Sequence, residues 1–184
     1  MRLVVNKAKV ELRRENDSCL IMGDGKSLPQ DLMMVSPSLF DVISIGRSIN
    51  YGDFKKHHWA NVDGADSKWW AEHLPVKVVR HSIGEFDWFD VDWEPEGEIK
   101  YTPDTQWHGS SSLFAVHVAL ALGYKEIILA GCPLDSMGHW WDGTGQPGPE
   151  WPGYSYQAWL DFARTPDSKR VRSLSGYTRQ ILER

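Results

Sequence analysis

The chain has 184 residues, enough for one domain with a full hydrophobic core and short for two. An apolar fraction of 41% and a charged fraction of 24% exclude extensive disorder. A net charge of −5 argues against a nucleic-acid partner, because the nearest basic run (Lys169, Arg170, Arg172, Arg179) is short and spaced like a solvated face.

Residues 2–14 alternate loosely between apolar and polar positions (Leu3, Val5, Val10, Leu12), so 1–16 reads as an edge strand or hairpin. Cys19-Leu20-Ile21-Met22 is a continuous apolar run ending at Gly23, the pattern of a strand buried on both faces. Phe40 to Ile45 is a second such strand and Trp59 to Val62 a shorter third. Residues 65–73 read as helix, Val76 to Arg80 as a strand, and Asp87 to Asp92 as an edge strand. The clearest unit follows. Ser110-Ser111-Ser112 heads a mostly apolar helix ending near Leu122, Gly123 stands where a helix-ending glycine belongs, and Lys125 to Gly131 is a buried strand. Residues 136–153 hold five glycines and three prolines, so 136–154 is predicted to be a long loop. Ser155 to Ala163 is a predicted helix, Arg170 to Leu174 a last strand, and Gly176 to Leu182 a closing helix. Strands alternating with helices give a single α/β domain over 1–184, doubly wound, with a mainly parallel sheet and helices on both faces.

The only cysteines, Cys19 and Cys132, lie in apolar company at strands, as buried free thiols of a reducing compartment do. No signal-like leader and no run of about 18 apolar residues occurs, so a cytoplasmic protein with no membrane span is expected. Ten tryptophans are a heavy load, several of them paired (Trp69-Trp70, Trp140-Trp141). Packing accounts for them, and the sharper alternative is that some line a ligand cleft or partner surface.

In parallel α/β sheets ligands bind beyond the carboxyl ends of the strands, which directs attention to the turns. Gly23-Asp24-Gly25-Lys26-Ser27 follows the first core strand, where glycines let backbone N–H groups approach an anion. It is not a P-loop, because the required earlier glycine is Leu20; a plain strand–turn–helix connection is the alternative. Gly109 to Ser112 opens the buried helix, with His108 just before it; one serine must cap, and the rest suit a phosphate cradle. Asp135, leaving the next strand, suits a ribose hydroxyl, a metal or a simple turn. Asp63 and Asp66 could hold Mg²⁺, though helix capping explains Asp66 without it. Asp135, His139 and Asp142 share one loop without a diagnostic metal spacing, and His117 reads as a core histidine.

The strand followed by Gly-x-Gly-x-Ser, then FDVISIGRSIN, WANVD, and the Gly-Ser-Ser-Ser helix running into LGYKEIILAGCPLD together resemble a Rossmann-like superfamily. Its members include bacterial sialyltransferases and hydroxymethylpterin pyrophosphokinase-like domains. The resemblance covers roughly residues 19–135 and is strongest over 109–135; small proteins of this form also occur in phage and prophage genomes. It implies that Gly23–Ser27, Arg47 or Asn50, and Ser110–Ser112 surround a nucleotide's phosphates and sugar. In the sialyltransferases a histidine in the loop before the last helix is the base. Residues 150–156 hold no histidine here, which leaves His139 as candidate base and Tyr154 and Tyr156 as the nearest phenols.

The expected function is binding of a nucleotide or nucleotide sugar, with glycosyltransferase-like chemistry if the chain is an enzyme. The alternatives are a Mg²⁺-dependent diphosphotransferase and a non-catalytic phage structural or accessory protein that keeps the fold.

Overall fold

The apolar runs become the strands of one eight-stranded sheet in the computed structural model, which describes residues 2–62, 67–83, 86–96, 110–135, 137–141 and 152–183. In chain order the strands are β1 (Leu3–Ala8), β2 (Ser18–Met22), β3 (Asp41–Ile45), β4 (His58–Ala60), β5 (Val79–Ile83), β6 (Val91–Pro95), β7 (Glu126–Ala130) and β8 (Val171–Ser173). The helices are α1 (Leu28–Leu32), α2 (Lys68–Glu72), α3 (Ser111–Ala121), α4 (Pro152–Ala163) and α5 (Gly176–Leu182). Across the sheet the order is β1-β6-β5-β4-β3-β2-β7-β8. Every neighbouring pair is parallel except β1 and β6. The fold is α/β with a mainly parallel sheet.

Alternate residues of each core strand serve opposite layers. Cys19 and Ile21 of β2 pack with Leu113, Phe114 and Val116 of α3 and Trp159 and Phe162 of α4. Leu20 and Met22 pack on the other side with Leu28 of α1 and with Ile128 and Ala130 of β7. Trp59 of β4, Ile49, Phe89 and Ala71 of α2 extend that second layer. A strand covered on both sides is largely apolar on both, which is why Cys19 to Met22 of β2 show no alternation. Each such aliphatic side chain contributes roughly 1.5–3 kcal/mol by leaving water.

Helix α3 is buried along one unbroken run, Leu113 to Ala119, so it is apolar nearly all round. Its start is fixed by the Ser110 hydroxyl, which accepts the Leu113 amide at 3.3 Å. Gly123, at φ +85°, ends it.

Three boundaries differ from the sequence reading. Strand β5 begins at Val79 rather than Val76, because pairing with β4 starts at His58↔Val79 and Val76 is left 40% exposed. Strand β6 is Val91–Pro95 and is not an edge: β1 adds to its outer side, Leu3 opposite Pro95. Helix α4 starts at Pro152, inside the expected 136–154 loop, where proline costs nothing at the first helical positions. Residues 9–17 form no hairpin. They run as a strap along the amino ends of the strands, held by the Lys9 amide on the Asp90 carbonyl (2.8 Å) and the Glu15 amide on Asp41 Oδ2 (2.8 Å). Both cysteines are buried and free, and among the described residues no helix is long and apolar enough to cross a membrane.

After β1, which ends up at one edge, the chain lays down β2, walks outward through β3 to β6, then returns across β2 to add β7 and β8. The direction of winding therefore reverses between β2 and β7. The turns leaving those two strands meet there.

Candidate functional site

The turns after β2 and β7 lie against each other. The Gly23 amide donates to the Ala130 carbonyl and the Gly25 amide to the Gly131 carbonyl, both at 2.8 Å. Lys26 N donates to Gly138 O (3.2 Å), and Trp140 N to Asp24 O (3.0 Å), so the 138–140 segment is bonded over the turn. A Cβ on Gly25 would come within 2.7 Å of the Gly131 carbonyl oxygen and would also strike Pro133; one on Gly23 would come within 2.6 Å of Cys132 Sγ. These glycines allow close backbone approach between two turns, and the amides of Gly23, Gly25 and Lys26 are already engaged. The expected anion cradle of free amides is thus a packed junction. Ser27 belongs to the same packing: its hydroxyl bonds to Asp31 Oδ2 (3.0 Å) and Ser175 Oγ (2.8 Å), while Asp31 also takes the Gly131 amide (2.8 Å).

Asp24 is the exception within the turn. Its Oδ2 accepts the Arg47 amide at 2.9 Å, at the start of a short 3-10 helix over Gly46–Asn50. Its Oδ1 is buried and has no hydrogen-bond partner. Burial raises its pKa to about 6, against the lowering pull of the Arg47 and Ser48 amides and of His139 and Arg47. Gly46, at φ +52°, is needed here because a side chain would run into the Asp24 carboxylate.

Arg47 is exposed, and its guanidinium lies between two indoles, 5.0 Å from the Trp70 ring of α2 and 4.9 Å from Trp141. His139, also exposed, stacks on the other ring system of this group, 4.4 Å from Trp141. An acid whose pKa burial raises to about 6, a cation held between aromatic planes and an imidazole thus gather beside the ends of β2 and β3. Such a group can bind an anionic ligand and exchange a proton with it.

The serines lie one strand further on. Ser111 Oγ donates to Asn61 Oδ1 (3.1 Å), just beyond β4, and Asn61 Nδ2 reaches Ser67 Oγ (2.5 Å). Ser112 Oγ is 3.0 Å from the capping Ser110 Oγ. Asn50 is exposed at the end of the 3-10 helix. Asp135 is exposed and accepts the Met137 amide (3.1 Å), the turn-forming role. Tyr156 packs edge-on against Tyr177, whose amide donates to the Pro133 carbonyl (2.7 Å). That puts Tyr156 beside α5 and the turn at Pro133. His117 is buried in α3 against Phe162, and burial lowers its pKa to about 3. Gly109, His108, Asp63, Asp66, Asp142 and the Tyr154 side chain lie outside the described residues.

At the opposite, amino edge, Glu15, Asp41 and His57 come close enough to suggest a metal site. The hydrogen bonds decide otherwise. His57 Nδ1 accepts the Val42 amide (2.9 Å), so the proton of the neutral ring sits on Nε2. That N–H faces Glu15 Oε2 (3.4 Å) and Asp41 Oδ1 (3.7 Å), and a protonated nitrogen is not a ligand.

Sequence reading placed Asp24 in the turn but missed its distinct role; it flagged Trp70 and Trp141 only as members of tryptophan pairs that could line a cleft, and gave Asn61 no role of its own. An acidic residue between two glycines at the end of a fully apolar strand was the available signal. Comparison of the chain with known proteins gives no matching family model, no matching curated protein and no matching solved structure.

Proposed function

We propose that the carboxyl edge of the sheet is the binding site of a nucleotide or nucleotide sugar on a Rossmann-like, doubly wound domain, and that the chain carries out glycosyltransferase-like chemistry there. Support for the ligand class comes from the reversal of strand order between β2 and β7, the place where such folds open a crevice. The observation that carries the chemistry is Asp24: one carboxylate oxygen anchored on the Arg47 amide, the other buried without a partner. Arg47 takes the ligand's phosphate, Trp70 and Trp141 hold the guanidinium in plane, and the Ser111–Asn61 pair faces the sugar. Loosening of the 138–140 segment gives the ligand access to Asp24 Oδ1. In the transfer the bond from the anomeric carbon to the phosphate oxygen breaks, and the nucleotide leaves with the bonding electrons. An acceptor hydroxyl oxygen bonds to that carbon while its proton passes to Asp24, with His139 alongside.

Thermal shift against a nucleotide panel, with and without Mg²⁺, tests the binding. A cytidine nucleotide should stabilise the protein without metal, and Ser111→Phe should abolish that shift. Asp24→Asn should keep the shift but lose release of the nucleotide from its sugar conjugate. A shift with ATP only in Mg²⁺ would replace this reading by a diphosphotransferase. No shift with any nucleotide at millimolar concentration would leave a non-catalytic accessory protein.

A further inference from the structure

The amino edge of the sheet holds a cavity of about 490 Å³ beneath the 9–17 strap, within the size range of small-molecule sites. Its walls include Glu11, Arg13 and Glu15 from the strap, Lys55 to His58 before and at the start of β4, Glu72 at the end of α2, and Val76 to Arg80 with Asp90. The four acids of the wall are each paired: Glu11 with Arg13, Glu15 with Lys55, Glu72 with Lys68 and Asp90 with Arg80. Lys56 and Lys77 form no ion pair with a carboxylate among the described residues. Lys56 is 7% exposed, donates to the Gly52 carbonyl and lies over the Phe54 ring; the Asp53 charge acts on it from nearby, but it makes no ion pair among the described residues. The lining thus holds five basic side chains against four carboxylates, a small positive excess centred on Lys56 and Lys77.

A hydrogen-bond chain through the core adds a fixed donor. Trp93 Nε1–H donates to His81 Nδ1 (2.9 Å), which puts the proton of the neutral His81 ring on Nε2. That proton is shared with His58 Nδ1 at 2.9 Å, which in turn puts the His58 proton on Nε2. Burial keeps both rings neutral, with the His58 pKa lowered to about 4 and that of His81 held well below its ordinary value. His58 is 2% exposed, borders the cavity, and its Nε2 is buried with no partner. Trp93 has only a donor to offer, so the direction of the whole chain is set at its inner end. An unmet buried N–H is costly, and a chain of this kind presents that donor in one orientation.

We propose that this cavity binds a small organic or inorganic anion through its carboxylate or phosphate oxygens, which accept from His58 Nε2–H and neutralise Lys56 and Lys77. The site is separate from the carboxyl-edge site and stands or falls independently of it.

Proton–nitrogen NMR of the histidine side chains, during titration with inorganic phosphate and separately with succinate, tests the proposal. The His58 Nε2–H signal should move saturably with at least one of them; phosphate alone or succinate alone identifies the class. Lys77→Gln and Lys56→Gln should each weaken the response about tenfold, as loss of a charge-assisted contact does. Lys56 is nearly buried and packs on Phe54, so the exposed Lys77→Gln is the deciding variant. Arg47→Ala, at the far edge, should leave the titration unchanged while weakening nucleotide binding. A His58 signal that both probes leave in place, or a movement equal in the lysine variants, overturns the proposal.

Discussion

Asp24 and Asp41 sit at opposite ends of adjacent parallel strands and live in opposite electrostatic conditions. Asp41, fully buried at the start of β3, accepts from the Glu15 and Asn16 amides, the Asn16 side chain and the Tyr124 hydroxyl (2.8 Å). Burial alone would raise its pKa, but those donors outweigh it and hold the carboxyl below its ordinary value. Asp24 has two backbone donors and an orphan oxygen, and burial wins. Two aspartates at the ends of neighbouring strands, one buried and one half-buried, thus differ by how many donors the surrounding loops supply. The well-served carboxylate is an anchor for the strap; the under-served one is held at some cost in stability.

The largest effect expected is from Asp41→Ala. It leaves four donors unmet, including the buried Tyr124 hydroxyl, and should lower the unfolding free energy by about 3–5 kcal/mol in urea titrations. In the unchanged protein this contribution is present at neutral pH and is lost as pH falls below the ordinary carboxylate range, because the folded-state pKa is depressed. A variant with native-like stability at pH 7 would show that Asp41 is not the anchor.

Asp24→Asn should act in the other direction. A folded-state pKa of about 6 against 3.8 unfolded means that folding binds protons between those values. Stability from this group is therefore greatest below pH 3.8 and declines as pH rises through 6. The decline amounts to up to about 3 kcal/mol. Urea titrations at pH 5 and pH 8 should show that slope in the unchanged protein and a flatter one in Asp24→Asn, with the variant gaining stability at pH 8. Equal slopes would place Asp24 in solvent rather than in the dry junction.

Gly25→Ala should cost about 2–3 kcal/mol by overpacking against Gly131 and Pro133, and should loosen the contact of the β2 and β7 turns. Hydrogen exchange at the Gly25 and Lys26 amides would report it. The smallest effect on stability is from Arg47→Ala. An exposed guanidinium between two rings is worth about 0.5–1 kcal/mol, so melting should barely change, whereas nucleotide binding should fall sharply. A large loss of stability would make the Arg47 sandwich structural instead.

Much of the architecture was legible in the chain because the core strands are buried on both faces and so announce themselves as apolar runs. The Ser110–Gly123 helix was equally plain, since its cap, its apolar length and its terminating glycine all lie within one local stretch. The position of β6 was not legible. Its outer neighbour, β1, is some ninety residues away in sequence, and no local pattern records that pairing. The site followed the same division. The Gly-Asp-Gly turn could be found by its place after a strand, but whether its amides were free depended on a second turn more than a hundred residues later.

The sequence by itself determined the α/β class, the mainly parallel sheet and the edge at which its turns gather, because burial on two faces and helix capping are local constraints. Tertiary structure decided which groups there remain unsatisfied: it used the glycine amides for packing and left Asp24 Oδ1 without a donor. It also ran Trp93, His81 and His58 into one directed chain at the other edge. Hydrogen-bond satisfaction is a count over neighbours in space, and neighbours from β4, β5 and β6 are assembled only when the sheet forms.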